Sequence, residues 1–408
     1  MLIELGTIVF ATSVVQLANG FFTTFVSLRL QQEDFDTSLE GLILSSYFIG
    51  FTIGSAVCGR IIQRVGHIRS YAAFAGIVVG AAACMGMLLD QYLWILLRAA
   101  VGFGCVGLFV TTESWLNSKA SPAARGRIFS FYMVGTFMAL GLGQLLVGRI
   151  ALTGGGPVHI IVVLFAIALV MVSMTRAGAP PITEEEPLPW GEFRRAAPLA
   201  ILGAAVSGMV AACVYAVVPA WMLASGIPQE RIGYIMLSVV LGGLACQVPV
   251  GLLSDRMDRR LLICLLALGL SVTAIVLSVL PRQLIPVMAF AALLGGLMST
   301  IYPVCVALTL DHVDGGKVVS ASSRLILISG IGSVIGPFAS NWLMDGLDID
   351  GVLYLLAVAA AILALAAGLQ AALRPRKAAI PATFTVMAPQ AVHPAPHDAV
   401  AEAAPTKG

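Results

Sequence analysis

An arginine and a glutamate stand inside one uninterrupted apolar run, Arg98 near its start and Glu113 near its end. On a helix their separation of 15 residues corresponds to about 22 Å, and the accumulated turn leaves them roughly 60° apart around the axis. They share a face without reaching one another, and Cys105, Phe109 and Thr112 lie between them on it. An ionised side chain held in hydrocarbon costs roughly 3 kcal/mol or more, so each needs a chemical reason to be there. For Glu113 there are two. Desolvation favours the neutral form of a carboxyl group, which suits it to taking up and releasing a proton. Alternatively it closes a salt bridge with Arg64 or Arg69. Arg98 either anchors to backbone carbonyls, or relays a proton, or meets an anionic group.

The elements that must hold these residues are membrane helices. Of 408 residues, 59% are hydrophobic and 11% charged, against roughly 25% charged in a soluble domain. Twelve apolar runs, each long enough to cross a bilayer at about 20 residues per helix, are expected at about 5–30, 39–59, 70–89, 93–117, 128–149, 157–176, 198–224, 231–253, 261–280, 283–309, 319–342 and 351–373. Basic residues gather after the even-numbered runs: Arg60, Arg64 and Arg69; Lys119, Arg125 and Arg127; Arg176, Arg194 and Arg195; Arg256, Arg259 and Arg260; Lys317; and in the tail Arg374, Arg376, Lys377 and Lys407. The opposite turns and run ends hold Arg29, Arg149, Arg231 and Arg282. The positive-inside rule then predicts a multi-pass protein with both termini cytoplasmic. No lysine or arginine precedes the first run, which is too long for a cleaved signal peptide. The seven cysteines lie in apolar runs without a CxxC pair and read as small buried hydrophobes. No basic patch interleaved with aromatics is present, so nucleic acid is not an expected partner.

The segment from Gly59 to Arg69 has an echo in Gly251 to Arg260, 192 residues later. The same offset aligns Gly41 with Gly233, Ile43 with Ile235, Ser46 with Ser238, Gly50 with Gly242 and Arg64 with Arg256. A repeated helix and turn divides the chain into two pseudo-symmetric six-helix bundles, 1–176 and 198–373. A polar cytoplasmic linker, 177–197, carries Pro180-Pro181 and Glu184-Glu185-Glu186. The Ala/Pro-rich tail, 374–408, is expected to be disordered, and its His393 and His397 are too sparse for a metal site. GxxxG spacings at Gly50/Gly54, Gly76/Gly80 and Gly332/Gly336 fit sliding crossings or ordinary helix packing. Gly59, Arg64, Gly66, Arg69, Gly251, Asp255 and Arg256 are the candidate cytoplasmic gating residues.

Other polar residues within the runs are Gln16, Asn19, Tyr215, Gln247 and Tyr302. Pro219, Pro249, Pro303 and Pro337 are expected to break second-half helices, as cavity-lining segments often do. Gln16, Asn19, Tyr215 and Tyr302, with Arg98, Thr112 and Glu113, form the candidate proton and substrate pathway. Arg324 reads as a snorkelling or interdomain residue. Gly315-Gly316-Lys317-Val318 lacks the upstream glycine and the Ser/Thr of a P-loop, and HExxH and GxSxG are absent. An ATP-driven pump and a membrane enzyme are therefore disfavoured, and no catalytic residue, cofactor or metal is expected.

These motifs resemble the major facilitator superfamily. The turn after the second run matches its basic loop at Gly59, Arg64, Gly66 and Arg69, with Gln63 in the place of the usual acid; the repeat keeps Asp255 and Arg256. Arg98-Ala99-Ala100-Val101-Gly102-Phe103-Gly104 looks like the fourth-span motif whose arginine is associated with proton coupling, with Val101 departing from it. The fifth span lacks the glycine-proline pattern of drug/proton antiporters, while Gly336-Pro337 appears in the eleventh. Thr112-Glu113-Ser114-Trp115, Arg125-Gly126-Arg127, Gly143-Gln144-Leu145-Leu146-Val147, Ile301-Tyr302-Pro303 and Gly332-Ser333-Val334-Ile335-Gly336-Pro337 resemble its YcaD-like branch.

The resemblance covers about residues 5–373. It implies an all-α integral membrane fold with twelve transmembrane helices, working by alternating access about a central site between spans 1, 4, 7 and 10. The expected function is secondary transport of a small organic solute, coupled to a proton or other ion, in a bacterial inner membrane. Two alternatives stand: an uncoupled facilitator of the same fold, and a transporter-like sensor or receptor. In the superfamily the loop acid holds the facing half; with Gln63 neutral, that latch falls to Asp255.

Overall fold

A computed structural model describes residues 2–33, 35, 37–119, 122–175, 189–313 and 317–373. Linker residues 176–188 and the tail, 374–408, lie outside the described residues. A backbone in hydrocarbon must satisfy its own hydrogen bonds, and helices do so within one segment. The described chain forms α1 (Leu2–Leu30), α2 (Thr37–Val65), α3 (His67–Met87), α4 (Gln91–Lys119), α5 (Pro122–Val147), α6 (Gly156–Ser173), α7 (Trp190–Ala196), α8 (Pro198–Ala216), α9 (Val218–Ala224), α10 (Gln229–Arg256), α11 (Arg259–Val279), α12 (Leu284–Leu310), α13 (Val318–Gly346) and α14 (Gly351–Leu373). Twelve of these are long and apolar enough to cross a membrane.

In the first half α2 packs on α4, α1 on α5 and α6, and α3 on α4 and α6. In the second, α10 packs on α12, α8 on α13, and α11 on α12 and α14. The halves meet where α2 touches α13 and α5 touches α10. The repeat has a packing basis. A β-carbon on Gly50 would collide with the Ala99 carbonyl oxygen, and one on Gly102 with that of Tyr47. At the matching crossing, Gly242 would meet Ala292 and Gly295 would meet Val239. Glycine is needed at all four places because backbone lies against backbone. Gly54, Gly332 and Gly336 are likewise packed against neighbouring helices, whereas Gly76 and Gly80 have nothing near them. Two of the three GxxxG spacings are therefore crossings, and the third faces outward.

Three expectations change. The basic segment 59–69 is not a loop: α2 runs on to Val65, α3 starts at His67, and Gly66 alone makes the turn. Its φ of 84° is a left-handed conformation that favours glycine. The second turn instead uses Asp258, whose side chain caps α11 by accepting from the Arg260 N–H at 2.9 Å. Of the four prolines, Pro219 alone sits at a break, in the first turn of α9 beyond Val217; Pro249, Pro303 and Pro337 lie inside continuous helices. Finally, the end of the polar linker folds into the helix α7 and docks on the second half. Its Phe193 is buried, Glu192 pairs with Lys317 at 2.8 Å, and the Arg324 guanidinium lies 4.4 Å from the Trp190 ring centroid. The end carrying Arg60, Arg64, Arg69, Arg256 and Arg260 is called the basic end below.

Candidate functional site

A cavity of about 150 Å³ lies between the halves, lined by α1, α2 and α5 on one side and α8, α10, α12 and α13 on the other. Asn19, Tyr215 and Tyr302 line it, joined by Tyr47, Thr52, Gln144, Ser299 and Ser329. No α4 residue lines it, although the fourth span was expected to. The glycine crossing explains the difference. Gly50 and Gly102 let α2 lie so close on α4 that α2 stands between α4 and the cavity.

Arg98 is consequently walled in and 0% exposed. Its guanidinium carbon lies 4.8 Å from the Tyr47 ring centroid and 5.4 Å from that of Phe22. None of its three side-chain nitrogens has a hydrogen-bond partner among the described residues. The Tyr47 hydroxyl donates to Asn19 Oδ1 at 3.2 Å, and the Cys105 thiol approaches the same oxygen at 3.6 Å. Tyr47 and Asn19 thus form a partition with the cavity on one side and Arg98 or Cys105 on the other.

Glu113 lies deeper in the first bundle, toward the basic end, and is 3% exposed. It accepts a hydrogen bond from the Tyr132 hydroxyl of α5 at 3.3 Å. One residue earlier, Thr112 shares a hydroxyl hydrogen bond of 2.8 Å with Thr12 of α1. Gln16 is also buried, and its Oε1 has no partner among the described residues. The seven pathway residues therefore divide. Asn19, Tyr215 and Tyr302 face the cavity, whereas Gln16, Arg98, Thr112 and Glu113 lie within the first bundle. Arg64 and Arg69 are exposed.

Hydrogen bonds join the two halves away from the basic end. Gln229 of α10 donates to the carbonyls of Val147 and Ile150 at 2.6 and 3.0 Å. The Ala220 N–H donates to Ser27 Oγ at 3.2 Å. Gly41 and Gly148 seat against Asn341 and Glu230 in the same region. At the basic end, Gly59 has nothing near it and Arg64 and Arg256 are exposed. Gly251 is buried within α10. Asp255 turns toward its own half, 3.6 Å from Arg259. Arg259 also pairs with Asp311 and donates to the Ala307 carbonyl at 3.1 Å, so it ties α11 to the end of α12. The first half makes the same tie with an imidazole: His67 Nε2 lies 3.1 Å from Ser114 Oγ, and its ring stacks on Trp115 at 5.7 Å.

Residue type alone does not mark Tyr47, Thr52, Ser207 or Ser329 as cavity residues. Their spacing does carry a signal. Phe48, Thr52 and Ser55 recur on one face of α2, as Ser207, Ala211 and Tyr215 do on α8.

The sequence profile of the Major Facilitator Superfamily matches residues 8–228 and again 200–396. The chain belongs to the Major Facilitator Superfamily. A relative from Escherichia coli O7:K1 (strain IAI39 / ExPEC), named "Uncharacterized MFS-type transporter YcaD", is 30% identical over 353 residues, covering 84% of this chain and 89% of its own. Among solved structures, a variant of the nucleoside transporter NupG superposes with a TM-score of 0.77 at 12% identity, covering 90% of this chain and 100% of that one. A bacterial homologue of the human lysosomal transporter Spinster, inward-facing and unoccupied, gives 0.68 at 14% identity, with 90% and 95% covered. At those identities the two structures establish the fold. Together the matches make this superfamily member a multi-pass membrane transporter.

Proposed function

We propose that this superfamily member moves a small organic solute across a bacterial inner membrane by alternating access, with a proton as the coupled ion. The position of the cavity carries this reading: it lies between the halves, and the contacts of Gln229, Ala220, Gly41 and Gly148 close the halves together at the end opposite the basic one. Residues 1–176 and 198–373 are the rocking units, joined by the linker 177–197. The arginine-rich turns support a cytoplasmic basic end with both termini on that side, making this an inward-facing arrangement. Relatives in Escherichia coli support an inner-membrane location.

Glu113 is the proposed proton carrier. Ionised, it accepts from Tyr132; protonated, it returns a donor to the same oxygen, so the contact survives both states. Arg98 supplies the imbalance that a second conformation relieves. Its two ring contacts give about 2 kcal/mol each and supply no acceptor, while desolvating a guanidinium costs several kcal/mol. Tyr47 and Asn19, which touch both compartments, transmit occupancy of the cavity to Arg98.

Protein in liposomes, loaded with a solute found by its stabilisation of the purified protein, tests the coupling. Glu113→Gln is expected to abolish accumulation driven by a pH gradient while sparing counterflow. Intact gradient-driven accumulation in that variant would overturn the carrier role. The Tyr132 contact favours one other reading, an uncoupled facilitator in which Glu113 fixes α5 in place. Counterflow would then be indifferent to a collapsed proton gradient in wild type and variant alike.

A further inference from the structure

We infer that the cavity takes an uncharged, ring-sized solute with hydrogen-bonding groups on two sides, an assignment that rests on the transport reading of the same cavity. Among the described lining residues there is no Asp, Glu, Lys, Arg or His. Arg98, behind the lining Tyr47, is screened by the Tyr47 and Phe22 rings and is 0% exposed. An ion entering such a site would exchange water for neutral groups and meet no countercharge, which is unfavourable. A neutral molecule avoids that cost.

Size and shape follow from the walls. A cavity of about 150 Å³ is comparable to one that holds a single benzene ring. Its three phenylalanines, Phe48, Phe51 and Phe137, all come from the first bundle, whereas Ser207, Ser299, Ser329 and Ser333 come from the second. A flat ring therefore stacks against the phenylalanines, and polar groups stand on both walls to receive its substituents, Thr52 and Gln144 on the first and Tyr215 and the serines on the second. Two lining residues, Thr52 and Tyr215, carry hydroxyls that are buried and have no hydrogen-bond partner among the described residues, so each meets a solute only as the walls close around it. They belong to opposite bundles, so a solute that satisfies both joins the two halves through itself.

A matched panel tests this on the purified full-length protein. Each one- or two-ring scaffold is presented as its amide, carboxylate and amidine, with benzamide, benzoate and benzamidine as the smallest set. Binding is read as a rise in apparent melting temperature and by equilibrium titration. The amides are expected to stabilise the protein, binding at least tenfold more tightly than their charged counterparts. Tyr215→Phe and Thr52→Val, which delete one hydroxyl each, should weaken amide binding by about three- to tenfold. Stabilisation chiefly by the carboxylates or amidines, or by no panel member, overturns the inference, as does amide binding untouched by both substitutions. Counterflow of the same compounds separates the two readings. An amide that binds without being exchanged removes transport and leaves the cavity assignment. Exchange of a charged compound does the reverse.

Discussion

Replacing Arg98 with methionine should stabilise the protein while disabling it. Arg98 is fully buried and its guanidinium has no hydrogen-bond acceptor among the described residues. Desolvation costs several kcal/mol. The Tyr47 and Phe22 rings, at 4.8 and 5.4 Å from its guanidinium carbon, return about 2 kcal/mol each but replace none of the hydrogen bonds lost with water. Apolar replacement of buried charge often stabilises by about 1–4 kcal/mol. Methionine has a similar reach and adapts to an irregular gap. At about 2.1 cal/mol/K of unfolding entropy per residue, a chain of 408 residues shifts by roughly 1 °C per kcal/mol, so Arg98→Met should raise the apparent melting temperature by about 1–4 °C. The assay is thermal denaturation in detergent with a thiol-reactive dye, since Cys58, Cys105, Cys213 and Cys305 are free and buried. Tyr47→Leu then isolates the ring contact: it should cost about 2 kcal/mol more with Arg98 present than in the Arg98→Met background. A clear loss of stability in Arg98→Met, or an equal effect of Tyr47→Leu in both backgrounds, would refute the reasoning. Gradient-driven transport should be lost in Arg98→Met even as stability rises, the trade-off expected at a strained functional site.

Two further perturbations test the packing. Arg259→Ala removes the ion pair to Asp311, whose side chain is 12% exposed, and the hydrogen bond to the Ala307 carbonyl, at a cost of about 3 kcal/mol; folded yield by size-exclusion chromatography should fall sharply. His67→Ala removes the contact with Ser114 Oγ and the stack on Trp115, so its loss should be nearer ~2 kcal/mol, and equal losses would deny the difference between the two ties. Gly102→Ala and Gly295→Ala each drive a β-carbon into backbone and should cost about 1–3 kcal/mol or more. Gly76→Ala, with nothing near it, should leave the melting temperature unchanged or slightly higher, and comparable loss at all three would show that the crossings are misassigned.

The span count and the duplication were legible because a lipid-embedded backbone has few choices. Apolar length marked the helices, and Gly50 with Gly242 marked the repeat. The segment 59–69 was misread for a physical reason. Hydropathy reports where the bilayer ends, whereas α2 continues past it to Val65 because Arg60 and Arg64 reach water from a helix. The site was only partly legible. Angular spacing put Arg98, Cys105 and Glu113 on one face of α4, but periodicity does not say which neighbour covers that face. Tyr47 covers it at Arg98, and nothing in the α4 sequence points to α2.

The two halves share a scaffold and differ in chemistry. Aligning α12 on α4 by the crossing, where Gly295 takes the place of Gly102 and Ala292 that of Ala99, carries Arg98 to Ala291 and Glu113 to Val306, and α12 contains no Asp, Glu, Lys, Arg or His from Leu284 to Leu310. Yet its crossing with α10 has the same glycine pair as that of α4 with α2. The packing is thus duplicated without the charges, and those charges are not needed to hold such a crossing together. Ion chemistry on the proposed mechanism is therefore confined to the first bundle, and the second can feel it only through the surfaces where the bundles touch. Thr52 against Gly330 and the Gln144 carbonyl against Gly233 are two such places. Both Thr52 and Gln144 also line the cavity, and Gln144 is tied back to α1 by accepting from Thr24 and donating to the Gly20 carbonyl. On the proposed mechanism a solute seated there touches the same two residues that carry the contact between the bundles, Thr52 through its side chain and Gln144 through its backbone, so binding and rocking share residues without any charge entering the cavity.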